Sequence, residues 1–413
     1  MVFGLVALFM KRPAITTLLL CAHCHVACAL HIGVVSKIIV DTIAGQQRIG
    51  GGGVQAAAGM RLVAWEASIQ LFAPVGADFD GAMLDPLSRR YRVNTSCVAR
   101  LAQAKTTPGE IISYREDDKM AFEQVGWEYW DELCAWEPPA LVETSLDAIH
   151  VLVEGGGAGE VRSVLQACEA SRAASRGFPC VGVEPIMHDV SMSAVDGLRA
   201  VTRVASMCSP DLATASCIGE LVKAEAAAMR AAKAKGMAHK PELLPAFQPA
   251  TSVDAATLSA LRDLDADCTP LLDLAAACFD ELCMQPGALL AIRDGSRGSY
   301  IYTRPAPKAP AWQWLADISS REYEWLAHVP ALALEQMVDP TGAGNAYAGA
   351  LTAALAEGID AGEAAAAATA VGAEFCEAAA WAPENVEQAS KRVRLRRKQV
   401  KEGLRVLKST ERE

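Results

Sequence analysis

The sequence predicts an α/β fold: a central, mostly parallel sheet with helices on both faces, in three layers, and a small β sheet beside it. Three observations carry this. Runs of β-branched residues alternate with small-residue helical stretches along much of the chain. Glycine-rich turns recur next to strand ends, where helical crossovers link parallel strands. One polar hairpin, near Thr106 to Phe122, breaks the rhythm and predicts a separate small sheet. With 413 residues, 52% hydrophobic and 21% charged, the chain can bury a large core and is not disordered. Its net charge of −11 argues against a general nucleic-acid binder, which needs clustered Lys and Arg to neutralise phosphates. Thirteen scattered cysteines, odd in number, read as mostly buried free thiols of an intracellular protein.

The elements follow in order. HIGVVSKIIVDTI, from His31, reads as one buried strand ending at Asp41. GQQRIGGGGVQAAAGMRLV is a glycine run feeding a helix from about Val54, and ASIQLFAPVGADFDG gives a second strand and a turn. AIHVLVEG, EVRSVLQACEASRAASRG and PCVGVEP repeat strand, helix, strand. Residues 224–275 are low in complexity and read as an insertion or a helical hairpin. GALLAIRDGSRGSYIY gives strand, glycine turn, strand; DPTGAGNAYAGALTAALAEG opens a strong helix, and a second alanine-rich helix follows from Ala361. KRVRLRRKQVKEGLRVLK closes the chain as a basic amphipathic helix within residues 389–413. Its nine Lys or Arg between Lys391 and Lys408 fit a solvated helix face or an anionic partner surface.

Residues 1–30 stand apart. No Asp or Glu precedes Asp41, and Lys11 and Arg12 lead an apolar run ending in an A-x-A-like triplet at Ala27 to Ala29. Two readings stand: a targeting segment, placing the protein in an organelle rather than the cytoplasm, and an overlong N-terminus. The run is short and broken by His23 and His25, so no membrane-spanning helix is expected. Cys21, His23, Cys24, His25 and Cys28 crowd too tightly for four of them to converge on one metal ion.

The most informative stretch is Asp339 to Tyr347, DPTGAGNAY, running straight into a helix. Gly342, Ala343 and Gly344 let the backbone curl so that its N–H groups point outward beside the positive end of the helix dipole, a site for an anion. An isolated G-A-G of this kind is also an ordinary turn capped by Thr341 or Asn345. It is not isolated. GGGGVQAAAG (Gly50 to Gly59), VGADFDG (Val75 to Gly81) and RDGSRG (Arg293 to Gly298) are further glycine turns in a fixed order.

Together these four motifs resemble those of the ribokinase-like, or pfkB-type, carbohydrate kinases. Gly50 to Ala57 matches that family's G-G-x-G-x-N-x-A with Gln55 for Asn; Val75 to Gly81 matches V-G-x-D-x-x-G. Arg293 to Gly298 matches T-x-G-x-x-G with Arg for Thr, and Asp339 to Asn345 matches D-T-x-G-A-G-D with Pro340 for Thr and Asn345 for the final Asp. DPTGAGN, Ser209-Pro210-Asp211 and the Thr106 to Phe122 hairpin are similar to features of the fungal maintenance-of-killer subgroup. The resemblance spans residues 31 to about 385 and implies a domain over 31–388 with a lid near 92–125. It further implies ATP-dependent phosphotransfer, assisted by Mg²⁺, to a hydroxyl of a sugar or related small alcohol, and a homodimer through the lid.

The same resemblance distributes the roles. Gly342, Ala343 and Gly344 form the anion hole, and Asn345 stands where the family has its base. An amide has no basic lone pair at neutral pH, so Asn345 can orient a hydroxyl but not take its proton. Asp41, Gly51, Gly52 and Gln55 line the substrate side, Asp41 reading equally well as a turn residue after a strand. Arg293, Gly295, Gly298 and Thr341 fall on the nucleotide side. Asp211 falls at a metal-side position, while Thr214 lacks the carboxylate the family has there. Glu184 ends a strand where the family often has Asp, or is a strand-end carboxylate in water. The alternative implied by Asn345 and Thr214 is a non-catalytic relative that binds nucleotide or sugar in a regulatory role.

Overall fold

A computed structural model describes residues 29–43, 45–114, 120–154, 158–173, 179–186, 192–234, 257, 268–304 and 323–411. The segment 1–28, with its Cys and His cluster, lies outside them, as do most of residues 235–267 in the expected insertion. Among the described residues fourteen strands form two sheets. The large one runs β14-β13-β12-β11-β10-β9-β8-β1-β4-β5, built from β1 (His31–Val35), β4 (Ser68–Val75), β5 (Val93–Arg100), β8 (Ala148–Glu154), β9 (Cys180–Ile186), β10 (Met207–Cys208), β11 (Leu289–Arg293), β12 (Gly298–Thr303), β13 (Tyr323–Pro330) and β14 (Arg405–Glu411). From β5 through β11 neighbours pair in parallel; β11 to β14 pair antiparallel.

Helices cover both faces, as parallel strands require. One face buries α1 (Gly52–Val63), α8 (Ala343–Ala356), α9 (Ala361–Cys376) and α10 (Val386–Gly403) against the sheet through Val54, Met60, Leu351, Val371 and Val393. The other buries α4 (Ala158–Ala173), α5 (Met192–Thr202), α6 (Leu212–Ala234) and α7 (Thr269–Glu281) through Val164, Leu198, Ile218 and Phe279. Short helices α2 (Trp130–Cys134) and α3 (Pro139–Glu143) precede β8.

The smaller sheet, ordered β3-β2-β6-β7, holds β2 (Ile39–Ile43), β3 (Gln46–Gly50), β6 (Gly109–Tyr114) and β7 (Met120–Val125). Two expectations change here. HIGVVSKIIVDTI is two strands, not one: the chain leaves the large sheet after Val35, and Asp41 sits in the middle of β2 in the small sheet. The reason lies in the crossing. Lys37 is buried there, bonded to Glu160 and stacked 5.2 Å from the Trp130 ring centroid, which holds the chain in a bend. The lid accordingly combines β2 and β3 with β6 and β7, whereas Val93–Arg100, inside the expected 92–125 range, is an edge strand of the large sheet.

One glycine motif meets the polar hairpin where the lid joins the body. Asp78, of VGADFDG, accepts from the Thr107 backbone N–H at 2.7 Å and its hydroxyl at 3.0 Å, and the Thr107 oxygen accepts from Gly76 N at 3.0 Å. Elsewhere, Arg61 at the end of α1 donates to five carbonyls: Tyr91, Ala64, Trp65, Ala67 and Arg92. Burial pulls this guanidinium down to about 10.

The C-terminus also differs from expectation. The basic helix stops at Gly403, and LRVLK belongs largely to β14, hydrogen-bonded along β13. α10 keeps a solvated basic face, with Lys391, Arg394, Lys398 and Lys401 exposed, while ion pairs hold another side of it: Arg392 and Arg396 both bind Glu374 of α9, whose carboxylate is fully buried. Burial pushes the thiols of Cys168, Cys180 and Cys278 up to about 12. Among the described residues no helix is long and apolar enough to cross a membrane.

Candidate active site

The site is set by how closely α1 and α8 pack. Both are rich in Gly and Ala, and the bare Cα atoms of Gly59 and Gly349 let each backbone touch the other, against Ala346 and Ala56. That contact brings the starts of the two helices together. Gly342, with φ 80°, ends the turn in the left-handed region, and a Cβ there would lie 2.5 Å from Gln55 Cγ. No side chain caps α8, so Gly342 to Asn345 present backbone at the positive end of the helix dipole. Ala343 drops out of the expected anion hole, because its N–H bends back to the Pro340 carbonyl at 3.2 Å. Asn345 lies against Gly52, where a Cβ would overlap its Nδ2.

In front of this turn is a cavity of about 410 Å³ lined by Glu184, Pro185, Ile186, Asp211, Arg293, Gly295, Gly344 and Asn345. Its charges come from the carboxyl ends of parallel strands, the place where open α/β sheets bind ligands. Arg293 ends β11 and donates to Glu184 Oε1 at 2.5 Å; Glu184, in β9, is fully buried. The second carboxylate oxygen faces His150 Nε2 of β8 at 3.4 Å, while His150 Nδ1 lies 2.9 Å from the Thr352 hydroxyl in α8. The Thr352 oxygen also reaches the Ala348 carbonyl at 3.0 Å. A chain of polar contacts therefore runs from the floor of the cavity back into the helix that carries Asn345. The expectation that Glu184 stands in water is overturned: His150 and Arg293 flank it on both sides, and the sheet seals it in.

A second cavity, about 610 Å³, shares Arg293, Gly295 and Gly344 with the first. Its walls are mostly apolar, with Leu332, Leu334, Met337, Ala343, Ala373 and Cys376, and Gly298 lies at one side. The two spaces thus meet over the first turn of α8, one polar and one apolar.

The other predicted residues divide. Gly52 and Gln55 touch the α8 turn, and Gln55 Oε1 is buried without a partner among the described residues. Gly51, at φ 89°, caps α1 against the Lys37 carbonyl instead of facing the cavity. Asp41 lines neither cavity; it sits within the lid against Gly50, 7% exposed, with Oδ1 unpartnered among the described residues. Burial first, then the Glu110 charge, push its carboxyl up from 3.8 to about 7. Thr341 also lines neither cavity: its N–H binds Asp339 Oδ1 at 2.9 Å, and Asp339 Oδ2 lies 3.6 Å from Arg48 Nη1 of the lid strand β3. Thr214 is buried. Sequence reasoning missed His150 altogether; its only signal is a histidine inside an apolar strand, which reads as core.

The donor set does not build a metal centre. Asp211 Oδ1 caps α6 by accepting from Thr214 N at 2.7 Å, and Glu184 is engaged by Arg293. Among the described residues no group of three His, Cys, Asp or Glu could hold a metal ion. A protein site for Mg²⁺ supplies one or two carboxylates beside phosphate and water oxygens, and of the two carboxylates on this cavity, Asp211 and Glu184, the second is already paired with the Arg293 guanidinium.

A family model described as pfkB family carbohydrate kinase matches residues 222–382, a stretch that carries β11, the α8 turn and α9. Solved structures extend the likeness over the rest. A ribokinase from Cryptococcus neoformans in complex with ADP is 17% identical, with TM-score 0.55, covering 88% of this chain and 99% of its own. A ribokinase from Arabidopsis thaliana complexed with ribose and ATP is 14% identical, with TM-score 0.52, over 88% and 99%. The chain has the ribokinase-like fold. A nucleoside kinase from Burkholderia thailandensis in complex with inosine shares this fold at 14% identity and TM-score 0.52, over 89% and 96%. A comparison with curated protein sequences gives no match. The ribokinase-like fold accounts for both sheets, the large parallel one with its helices and the small one as a lid.

Proposed function

We propose that this protein transfers the terminal phosphoryl group of ATP to a hydroxyl of a sugar or related small alcohol. The observation that carries the reading is the junction of the two cavities over Gly344. An apolar space suited to a nucleoside opens onto a polar one at an uncapped helix start, where a phosphoryl group in transit gains most from fixed donors. The nucleoside lies among Leu332, Met337 and Ala373, and its phosphates pass Gly295 and Arg293 towards Gly344. The acceptor hydroxyl lies beside Asn345, whose amide orients it. Its oxygen attacks the terminal phosphorus, the bridging oxygen leaves with the bond electrons, and the hydroxyl proton passes to solvent. Phosphoryl transfer depends mainly on positioning and charge, so a site without a base still turns over, about 10²–10⁴-fold more slowly. Mg²⁺ enters only as the ion a nucleoside triphosphate carries in solution.

A second reading is a binder of nucleotide and sugar without transfer, favoured by the amide at Asn345 and the buried Thr214. Phosphate transfer across a panel of sugars and nucleosides separates the two. Turnover above background supports the kinase; thermal stabilisation by ATP with no turnover, in wild type and Asn345→Asp alike, supports the binder. Pairing of two lids into a homodimer belongs to the first reading, and measurement of mass in solution tests it.

A further inference from the structure

Arg293 stands at the junction of the two cavities. Its guanidinium lies over Gly344, so close that a Cβ on Gly344 would come within 2.7 Å of Nη1. It borders both cavities and is 13% exposed, with Nε buried and unpartnered among the described residues. The start of α8 already concentrates positive potential there, and a fixed cation against it is unfavourable unless an anion joins them. Glu184 answers part of that charge from beneath and locks the fork in place. The remaining attraction points into the junction of the cavities.

We infer that the Arg293–Glu184 pair is a fixed phosphate clamp that does the work of a protein-held divalent cation. This rests on the nucleotide reading of the two cavities and adds to it that the phosphates are held without metal. A guanidinium offers paired donors matched to phosphate oxygens and needs no carboxylates from the cavity wall. The clamp thus explains why the wall offers so few: Asp211 caps α6 and Thr214 is buried. Glu184 acts through Arg293 as a positioning residue.

The test is calorimetric titration of the full chain with ATP and with adenosine, in EDTA. Wild type binds ATP at least about tenfold more tightly than adenosine without metal, as one to two charge-assisted hydrogen bonds provide. The double substitution Arg293→Gln/Glu184→Gln, which leaves no buried charge alone, closes that gap while adenosine binds as before. Wild-type ATP binding no tighter than adenosine in EDTA, or a gap that persists in the double variant, overturns the clamp and leaves the nucleotide site standing. Failure of both ligands to bind wild type removes the nucleotide reading and the clamp with it. The wild-type comparison needs no variant to fold, and Gly344→Ala, which displaces the guanidinium, is a second route to the same loss of the gap.

Discussion

The amide of Asn345 rests against the bare Cα of Gly52, so the first residue of α1 fixes the side chain at the head of α8. A methyl group at position 52 would overlap both Asn345 Nδ2 and a Leu152 methyl. Gly52→Ala therefore costs about 1–3 kcal/mol of stability by overpacking. It also lowers phosphate transfer more than nucleotide binding, since Asn345 moves while the apolar cavity does not. Urea denaturation and paired kcat and ATP-affinity measurements check both halves.

Asn345→Asp supplies the missing base without adding volume. Transfer to the best acceptor should rise by about 10²–10⁴-fold, and the new rate should fall at acid pH as the introduced carboxylate protonates. Initial rates from about pH 4 to pH 8 for both proteins decide it; an unchanged rate shows that the acceptor hydroxyl does not sit beside position 345.

Asp41 makes stability depend on pH with an unusual sign. In the folded protein its carboxyl holds a proton up to about pH 7, whereas the unfolded chain releases it near 3.8. The native state thus binds more protons between those values, and stability falls as pH rises through that window. Asp41→Asn removes the fall, so its advantage over wild type grows from pH 4 to pH 8 by at most about 4 kcal/mol. Chemical denaturation at the two pH values measures the difference.

Glu374 is fully buried beneath two arginines of α10. Arg392 is 41% exposed, and Arg396 also reaches Glu377 at 2.8 Å, so Arg392→Ala alone has a small effect. Removing both arginines strands the carboxylate and costs about 3–5 kcal/mol. Adding Glu374→Gln to that double variant recovers part of the loss. The same pairing makes this basic stretch a structural clasp between α9 and α10.

The fold was legible because its signals are local. Strand and helix periods, and glycine turns ahead of helices, stand in contiguous residues, and Gly52, Gln55, Gly342, Gly344 and Asn345 did come together. What was illegible depends on residues far apart in the chain. Glu184 looked like a strand-end carboxylate because nothing near it in sequence announces Arg293, 109 residues away, or His150 on the neighbouring strand. The break between β1 and β2 was hidden for a related reason. SKI in the middle of an apolar run gives no turn signal, and only the burial of Lys37 against Glu160 forces the chain out of one sheet into the other. LRVLK continued a charged helical pattern; its pairing with β13 is a tertiary contact that overrides it.

The pairing of β13 with β14 has a bearing on how the molecule keeps to itself. β13 carries the buried Trp325 and Leu326, and among the described residues its outer edge pairs with Arg405–Glu411 alone. Were that strand to peel away, β13 would present a raw row of unpaired backbone groups beside apolar side chains, a template on which another copy can lay a strand of its own. Arg405–Glu411 is thus a guard against stickiness as much as a brace for the sheet.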